Sequence, residues 1–257
     1  MKFGLKESFR GINVPRDGYH RLYREHLKLS IEAERLGYDN IWMNEHHFIG
    51  DGYSPSVLPL AAVTAMQTER IRIGTSLLLM PLHHPINVAE DGAVVDVLSN
   101  GRFDLGVGQG YRPEEFVSYN IPAAERGRRM REGVEIVRQL WSGKPANFSG
   151  KFYSVTDAVL DPPVVQQPHP PIWIGGRNRS VVEWAARNGL NQGLSKLDSR
   201  SSEVDSESEV EVSNKGASTG PNHVLADATA SFVRIQLCRV RQMAAPAASA
   251  PTAKTDG

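Results

Sequence analysis

The chain has 257 residues, 40% of them hydrophobic, and its 29 Lys+Arg are matched by 29 Asp+Glu. That is enough apolar content for a real core, and the neutral balance removes the broad attraction on which binding to nucleic acid or an anionic membrane relies. One cysteine, Cys238, cannot form an internal disulfide, the start MKFGLKESFRG has no apolar leader, and no segment approaches the roughly 18 apolar residues of a membrane span, so a soluble, reduced, cytoplasmic protein is expected.

Apolar runs of strand length alternate with segments of helical period, the pattern of successive βα units around a parallel sheet. Lys2–Phe9 is the first expected strand. Tyr19–Leu36 follows as a helix: Leu22, His26, Leu29, Ala33 and Leu36 share one stripe, and Gly37 supplies the C-terminal cap. Asp39–Asn44 is the second strand, Leu58–Gln67 the second helix, Ile71–Met80 a strongly apolar third strand, Val88–Leu98 the third helix and Arg102–Val107 the fourth strand. Met130, Gly133, Val134, Val137, Leu140 and Trp141 mark the buried face of a fourth helix, Ile172–Ile174 is the fifth strand, and Val181–Arg187 the helix after it. The strand starts near residues 2, 39, 71 and 102 are spaced like the roughly 30-residue βα units of a (β/α)8 TIM barrel. The next step is double, and residues 143–171, rich in Pro and Gly with short β-like pieces, read as an inserted excursion.

Composition changes near Leu190. Residues 1–190 hold 18 of the 19 aromatic residues, whereas the 67 residues from Asn191 hold only Phe232, with ten serines and ten alanines. The chain therefore divides into residues 1–190, the N-terminal part of an α/β barrel with about five βα units plus the excursion, and residues 191–257, an atypical tail. Ser199–Ser218 is polar and acidic enough to stay disordered, and in Pro221–Met243 helix and strand periods compete. At roughly 30 residues per unit the tail is too short for the three further units of a closed barrel. The expected barrel is incomplete, and a frameshift, fusion or truncation after Gly189 would each give this pattern.

Catalytic groups of a parallel barrel sit at the C-terminal ends of its strands. The second strand ends in Glu45-His46-His47-Phe48, where alternation lets one imidazole face the mouth while the other packs sideways. A purely structural His pair is the competing reading. A zinc site is not expected, because adjacent histidines rarely chelate one ion and no Cys or HExxH partner exists. The third strand ends in Gly74-Thr75-Ser76-Leu77 and runs on to Leu82-His83-His84-Pro85. Its small residues either admit a flat ligand or mark a core strand with a Pro-terminated turn. In RFDLGVGQGY, Tyr111 replaces the last glycine of GxGxxG, so Gly106, Gly108 and Gly110 suit a flat ring better than a pyrophosphate. The fifth strand leads through Gly175-Gly176-Arg177-Asn178-Arg179-Ser180 into a helix: a phosphate cradle, or a capped helix start with solvated arginines.

Taken in order, EHHF, IGTSLLLMPLHHP, LSNGRFDLGVGQGY, ERGRRMREGVEIVRQLW and PPIWIGG…EWAARNGL resemble the bacterial luciferase-like flavin-dependent monooxygenases over about residues 1–190. The resemblance implies a TIM barrel that takes reduced FMN, or in one branch the deazaflavin F420, as a diffusible cosubstrate. It implies His46 as the catalytic imidazole with Glu45 beside it, and a non-proline cis peptide at Ser76-Leu77 beneath the ring. Gly108 and Gln109 stand where the luciferase α chain has a reactive cysteine and a phosphate-binding arginine, so one anchor is lost. Arg177-Asn178 replaces a Glu-Ser pair of the phosphate loop, which moves the expected anchor to Arg177 and Arg179, with Gly176 and Ser180 in the same loop. The implied reaction forms a flavin C4a-peroxide from reduced FMN and O2 and oxidises a small organic substrate such as an aldehyde. A flavin reductase would supply FMNH2, a homo- or heterodimer is among the assemblies allowed, and nucleic acid, membrane and metal are not implied. A shortened, non-catalytic flavin-binding relative and an F420-dependent dehydrogenase are the alternatives.

Overall fold

The structure, a computed structural model, describes residues 2–11, 13–176, 178–192 and 236–240. The barrel-like part opens with β1 (Lys2–Glu7), α1 (Tyr19–Arg35), β2 (Asn40–Met43), α2 (Val57–Gln67), β3 (Arg72–Thr75), the short β4 (Leu78–Leu79) and α3 (Pro85–Leu98). It continues through β5 (Phe103–Gly108), α4 (Pro113–Ser118), α5 (Arg126–Trp141), β6 (Ala146–Ser149), β7 (Ser154–Ala158), β8 (Ile172–Ile174), α6 (Arg179–Arg187), β9 (Asn191–Gln192) and β10 (Gln236–Val240). The main sheet has the order β10-β1-β2-β3-β5-β8-β9, with β4 also paired to β5. Pairs from β1 to β9 are parallel, and β10 runs antiparallel along β1 with Leu237 opposite Leu5. This is the incomplete α/β barrel expected from the sequence.

Alternation divides each strand between two faces. Ile41, Met43, Ile73, Phe103, Leu105, Val107, Ile172 and Ile174 join one buried cluster with Val57, Ala61, Val88, Val134, Val137 and Trp141 of the helices. Each large side chain buried this way contributes about 1.5–3 kcal/mol, so the helix layer holds the sheet through packing more than through helix propensity. The opposite, inner face is polar and aromatic. Trp42 meets Trp173 edge-on at 5.8 Å, Arg72 Nε donates to Asp104 Oδ2 at 2.7 Å, Trp173 Nε1 donates to Asp104 Oδ1 at 3.2 Å, and Trp42 Nε1 donates to Asn40 Oδ1 at 3.1 Å.

Helix stripes follow the periodicity. In α1 the buried positions are Leu22, His26, Ser30 and Ala33. Leu36, expected on this stripe, is exposed because the helix ends at Arg35 and Gly37 turns away with positive φ. In α5 the expected face is buried, with Ile136 added to it. Arg102 closes the C-terminus of α2, donating from Nη2 to Ala65 O at 3.0 Å and Thr68 O at 2.8 Å, carbonyls that a helix end leaves without partners. The excursion is an antiparallel β6–β7 hairpin followed by an irregular return. Buried Asp96 of α3 holds that return by accepting from Val165 N at 2.7 Å and Gln166 N at 3.0 Å.

One expectation is corrected, and two stretches left open by the sequence are filled. Ile71–Met80 is not one strand: it divides into β3 and β4 around Ser76-Leu77. Residues 113–118 form a helix, α4, that the apolar period did not reveal. Pro221–Met243, where helix and strand periods competed, contains the strand β10. Ser199–Ser218 lies outside the described residues. No helix among the described residues is long and apolar enough to cross a membrane.

Candidate functional site

The site is assembled where β2, β3 and β5 end. Extended backbone at the end of β2 sends consecutive side chains to opposite sides, which separates the two imidazoles. His46 is anchored by its amide on Ser54 O at 3.0 Å, and its Nδ1 donates to Glu115 Oε1 at 2.9 Å. Tyr53 and Tyr111 meet the His46 ring edge-on at 4.8 and 5.5 Å between centroids. His47 packs sideways: its amide donates to the same Glu115 Oε1 at 3.0 Å, and its Nδ1 shares a hydrogen bond with Tyr119 OH at 3.2 Å.

Glu115 is fully buried at the start of α4. None of the motifs singles it out. The usable signal is Pro113 followed by two acids, since Pro and carboxylates favour the first helical turn. What no local pattern shows is that this turn reaches back to the β2 end.

Glu45 does not stand with His46. It lies buried on the other side of the β2 end, accepting from His47 Nε2 at 2.7 Å, His83 Nε2 at 2.8 Å and Leu79 N at 3.0 Å. Burial by itself would raise the Glu45 pKa, but the hydrogen bonds from His47 and His83 and the Leu79 amide outweigh it and hold the carboxyl below its ordinary range. For His83, burial acts downward and the Glu45 carboxylate upward, and the carboxylate prevails. The donor atoms of Glu45, His47 and His83 lie within 4.8 Å of one another, a grouping that could hold a metal ion. As it stands, Glu45 Oε1 is hydrogen-bonded by both imidazoles.

The Ser76-Leu77 peptide is cis, and Ser76 N donates to Met43 O at 2.6 Å. A Cβ added at Gly175 would stand 2.0 Å from Leu77 Cδ1, one at Gly108 2.7 Å from the same atom, and one at Gly106 1.9 Å from Thr75 O. The glycines therefore make room for Leu77 and for the close approach of β3 to β5. They do not form an empty trough for a ring, as their pattern suggested. A planar group at this end of the sheet would rest on Ser76 and Leu77.

At the expected phosphate loop, α6 starts at Arg179, and Asn178 at the N-cap makes no side-chain cap bond. Gly176 precedes it, and Arg177 lies outside the described residues. Arg179 turns away: its Nε donates to Glu183 Oε1 at 2.6 Å and its side chain is 92% exposed. Among the described residues, a cation that does reach this helix start is Arg131 of α5, whose Nη2 donates to Ser180 O at 3.3 Å and whose Nε is buried without a hydrogen-bond partner. Gln109 lies beside the start of α5, its Oε1 3.3 Å from a Cβ placed at Gly127. The arginine-rich opening of α5 is the signal in the sequence that could point to Arg131.

The model of the luciferase-like monooxygenases matches residues 1–198. The chain belongs to this family. The oxygenase component of a flavin-dependent trigonelline monooxygenase from Acinetobacter baylyi is 33% identical over 187 residues, covering 72% of this chain and 52% of that protein. An F420-dependent glucose-6-phosphate dehydrogenase from Amycolatopsis mediterranei is 33% identical over 174 residues, covering 65% and 51%. Among solved structures, the monooxygenase RslO1 from Streptomyces bottropensis superposes with a TM-score of 0.69 at 34% identity, over 74% of this chain and 58% of that one. The chain thus spans about half the length of the curated relatives it matches. These luciferase-like relatives are oxidoreductases, and they include both flavin- and F420-dependent enzymes.

Proposed function

We propose that this chain is the oxygenase component of a cytoplasmic flavin-dependent monooxygenase, which takes reduced FMN from a separate flavin reductase and uses O2 to oxidise a small organic substrate such as an aldehyde. The observation that carries the reading is the buried Glu115 carboxylate on His46 Nδ1 at the end of β2. A carboxylate in this position fixes the tautomer and orientation of an acid–base imidazole. With Nδ1 engaged, Nε2 is the nitrogen left to hold or move a proton at the reacting centre.

The remaining residues fit a flavin. Ser76 and Leu77 offer an apolar seat for the ring, and the orphaned Nε of Arg131 beside the start of α6 offers charge and a free donor for the phosphate. Bound reduced FMN would supply the electrons that activate O2. His46 would exchange the proton, Tyr53 and Tyr111 would limit rotation of its ring, and Gly176, Arg177, Asn178 and Ser180 would complete the phosphate loop. Pairing of two copies belongs to the proposal, because α2 and α3 carry exposed apolar residues as well as buried ones.

Titration with reduced FMN and with F420, followed by O2 uptake with NADH and a flavin reductase, tests the reading. Native protein is expected to bind reduced FMN and consume O2, and His46→Ala to bind flavin but lose about 10²–10⁴-fold in oxygenation, the usual contribution of a positioned acid–base group. Unchanged product formation by His46→Ala removes this residue from the role. A second reading, a flavin-binding relative without turnover, is favoured by β10, which occupies the edge of β1 in the direction opposite to every other neighbour in the sheet. Saturable binding of reduced FMN without O2 uptake would decide for it, and binding of F420 alone would decide for hydride transfer.

A further inference from the structure

The Glu45 cluster plays no part in the reading above, and it draws on two separate stretches of chain. Glu45 and His47 follow β2, and His83 lies in the connection between β4 and α3. The EHHF motif alone does not predict an ion site, because adjacent histidines rarely chelate together. The structure removes that objection. It sends His46 to Glu115 and sets His47 beside Glu45 and the distant His83 instead.

We propose that Glu45 Oε1, His47 Nε2 and His83 Nε2 form a site for one divalent transition-metal ion of the zinc class, which pins the end of β2 to the start of α3. The three ligand atoms lie within 4.8 Å of one another, and both nitrogens already meet the same oxygen, at 2.7 and 2.8 Å. Two ligands about 2.0–2.2 Å from one ion stand roughly 3–3.5 Å apart, so each nitrogen withdraws from Oε1 by less than about 1 Å to admit it. The outer contacts are those of held ligands. Glu45 Oε2 accepts from the Leu79 amide at 3.0 Å, which leaves Oε1 to ligate, and His47 Nδ1 bonds Tyr119 OH at 3.2 Å, which fixes the ring. Two imidazoles with one carboxylate suit zinc and its neighbours and do not offer the oxygen-rich shell of Mg²⁺ or Ca²⁺. Glu45 and His47 are buried, whereas the His83 side chain is 28% exposed, so an ion enters along His83.

Loading exchanges the two hydrogen bonds on Oε1 for bonds to the ion, and each Nε2 must then present its lone pair. A neutral ring does so by carrying its proton on Nδ1, and for His47 the Tyr119 oxygen is in place to accept it. An imidazolium releases one proton to solvent instead. With one carboxylate and two neutral rings, the loaded site keeps a single positive charge in excess. The carboxylates of Asp91, which acts on His83, and of Glu115, which acts on Tyr119, offset it. The site holds whether or not the chain binds a flavin, and none of its ligands serves His46.

Calorimetric titration of the full chain, first stripped with a chelator, with Zn²⁺ and separately with Mg²⁺ tests the site. The native chain is expected to bind one Zn²⁺ saturably and no Mg²⁺. X-ray absorption at the zinc edge should then report two imidazole nitrogens and a carboxylate oxygen at about 2.0–2.2 Å. Glu45→Gln and His83→Asn, with their folds checked by circular dichroism, should each weaken Zn²⁺ binding by more than the roughly 10–100-fold cost of losing a group behind a ligand. His84→Asn and Cys238→Ser, which remove the neighbouring imidazole and the one thiol, should leave it as it is. Absence of saturable Zn²⁺ binding by the native chain overturns the proposal, as does a zinc shell that contains sulfur or fewer than two imidazoles. Both are read on the native chain and stand even where a variant fails to fold. Unchanged affinity in a folded His83→Asn also overturns it, because the ion then sits elsewhere.

Discussion

A side chain at position 175 or 108 would collide with Leu77, so the leucine and the glycines opposite it are a single steric choice. Gly175→Ala is expected to destabilise by about 1–3 kcal/mol through overpacking. In a Leu77→Ala background the same change should cost almost nothing, giving a coupling of about 1 kcal/mol or more. Urea denaturation of the four proteins measures this, and additive effects would mean that Leu77 is not what the glycines accommodate. The sequence shows glycines at the strand ends but not what they face, because Leu77 comes from the connection between β3 and β4. His46 was likewise legible as one of two imidazoles, while its partner Glu115 lies 69 residues away in sequence. Arg179 and Arg131 show the same limit: charge at a loop is visible in sequence, but whether a helix neighbour such as Glu183 has already claimed it is not.

Between elements, Glu34 in the last turn of α1 accepts the amides of Glu69, Arg70 and Ile71 at 3.0, 2.6 and 2.8 Å and so fixes the α2–β3 connection. Partial burial pushes its pKa up, but these three donors prevail and hold it below the ordinary carboxylate value. A lowered folded-state pKa means that Glu34 stabilises fully above the unfolded carboxylate pKa and loses that contribution as pH falls through the folded value. Glu34→Gln should therefore lower the urea midpoint at pH 7 and make little difference once the pH is below the carboxylate range. An equal difference at both pH values would contradict the assignment. Periodicity made α1, α5 and β8 readable because each buries one face or all of itself against a single layer. It failed where tertiary geometry intervenes: at Ser76-Leu77, which ends β3 within an unbroken apolar run, and at α4, whose six residues are too few to show a period.

For the molecule as a whole, α2 and α3 are the elements whose apolar residues exceed what the sheet covers. Val63, Met66, Val94, Val97 and Leu98 remain exposed. The double variant Met66→Glu/Val94→Glu is expected to shift sedimentation from dimer to monomer with its circular dichroism unchanged, and a native chain that sediments as a monomer at every concentration would remove self-association from the proposal. The inner face of the sheet shows the opposite economy. Asn40 serves Trp42, and Asp104 serves both Arg72 and Trp173, while Arg72 also reaches Gln166 at 3.1 Å. Every group in that set comes from residues 40–173. Asp104 of β5 thereby ties β3 to β8 across this face, with Oδ2 on Arg72 and Oδ1 on Trp173. The set therefore closes only once β8 has emerged from the ribosome, because Trp173 supplies its last partner.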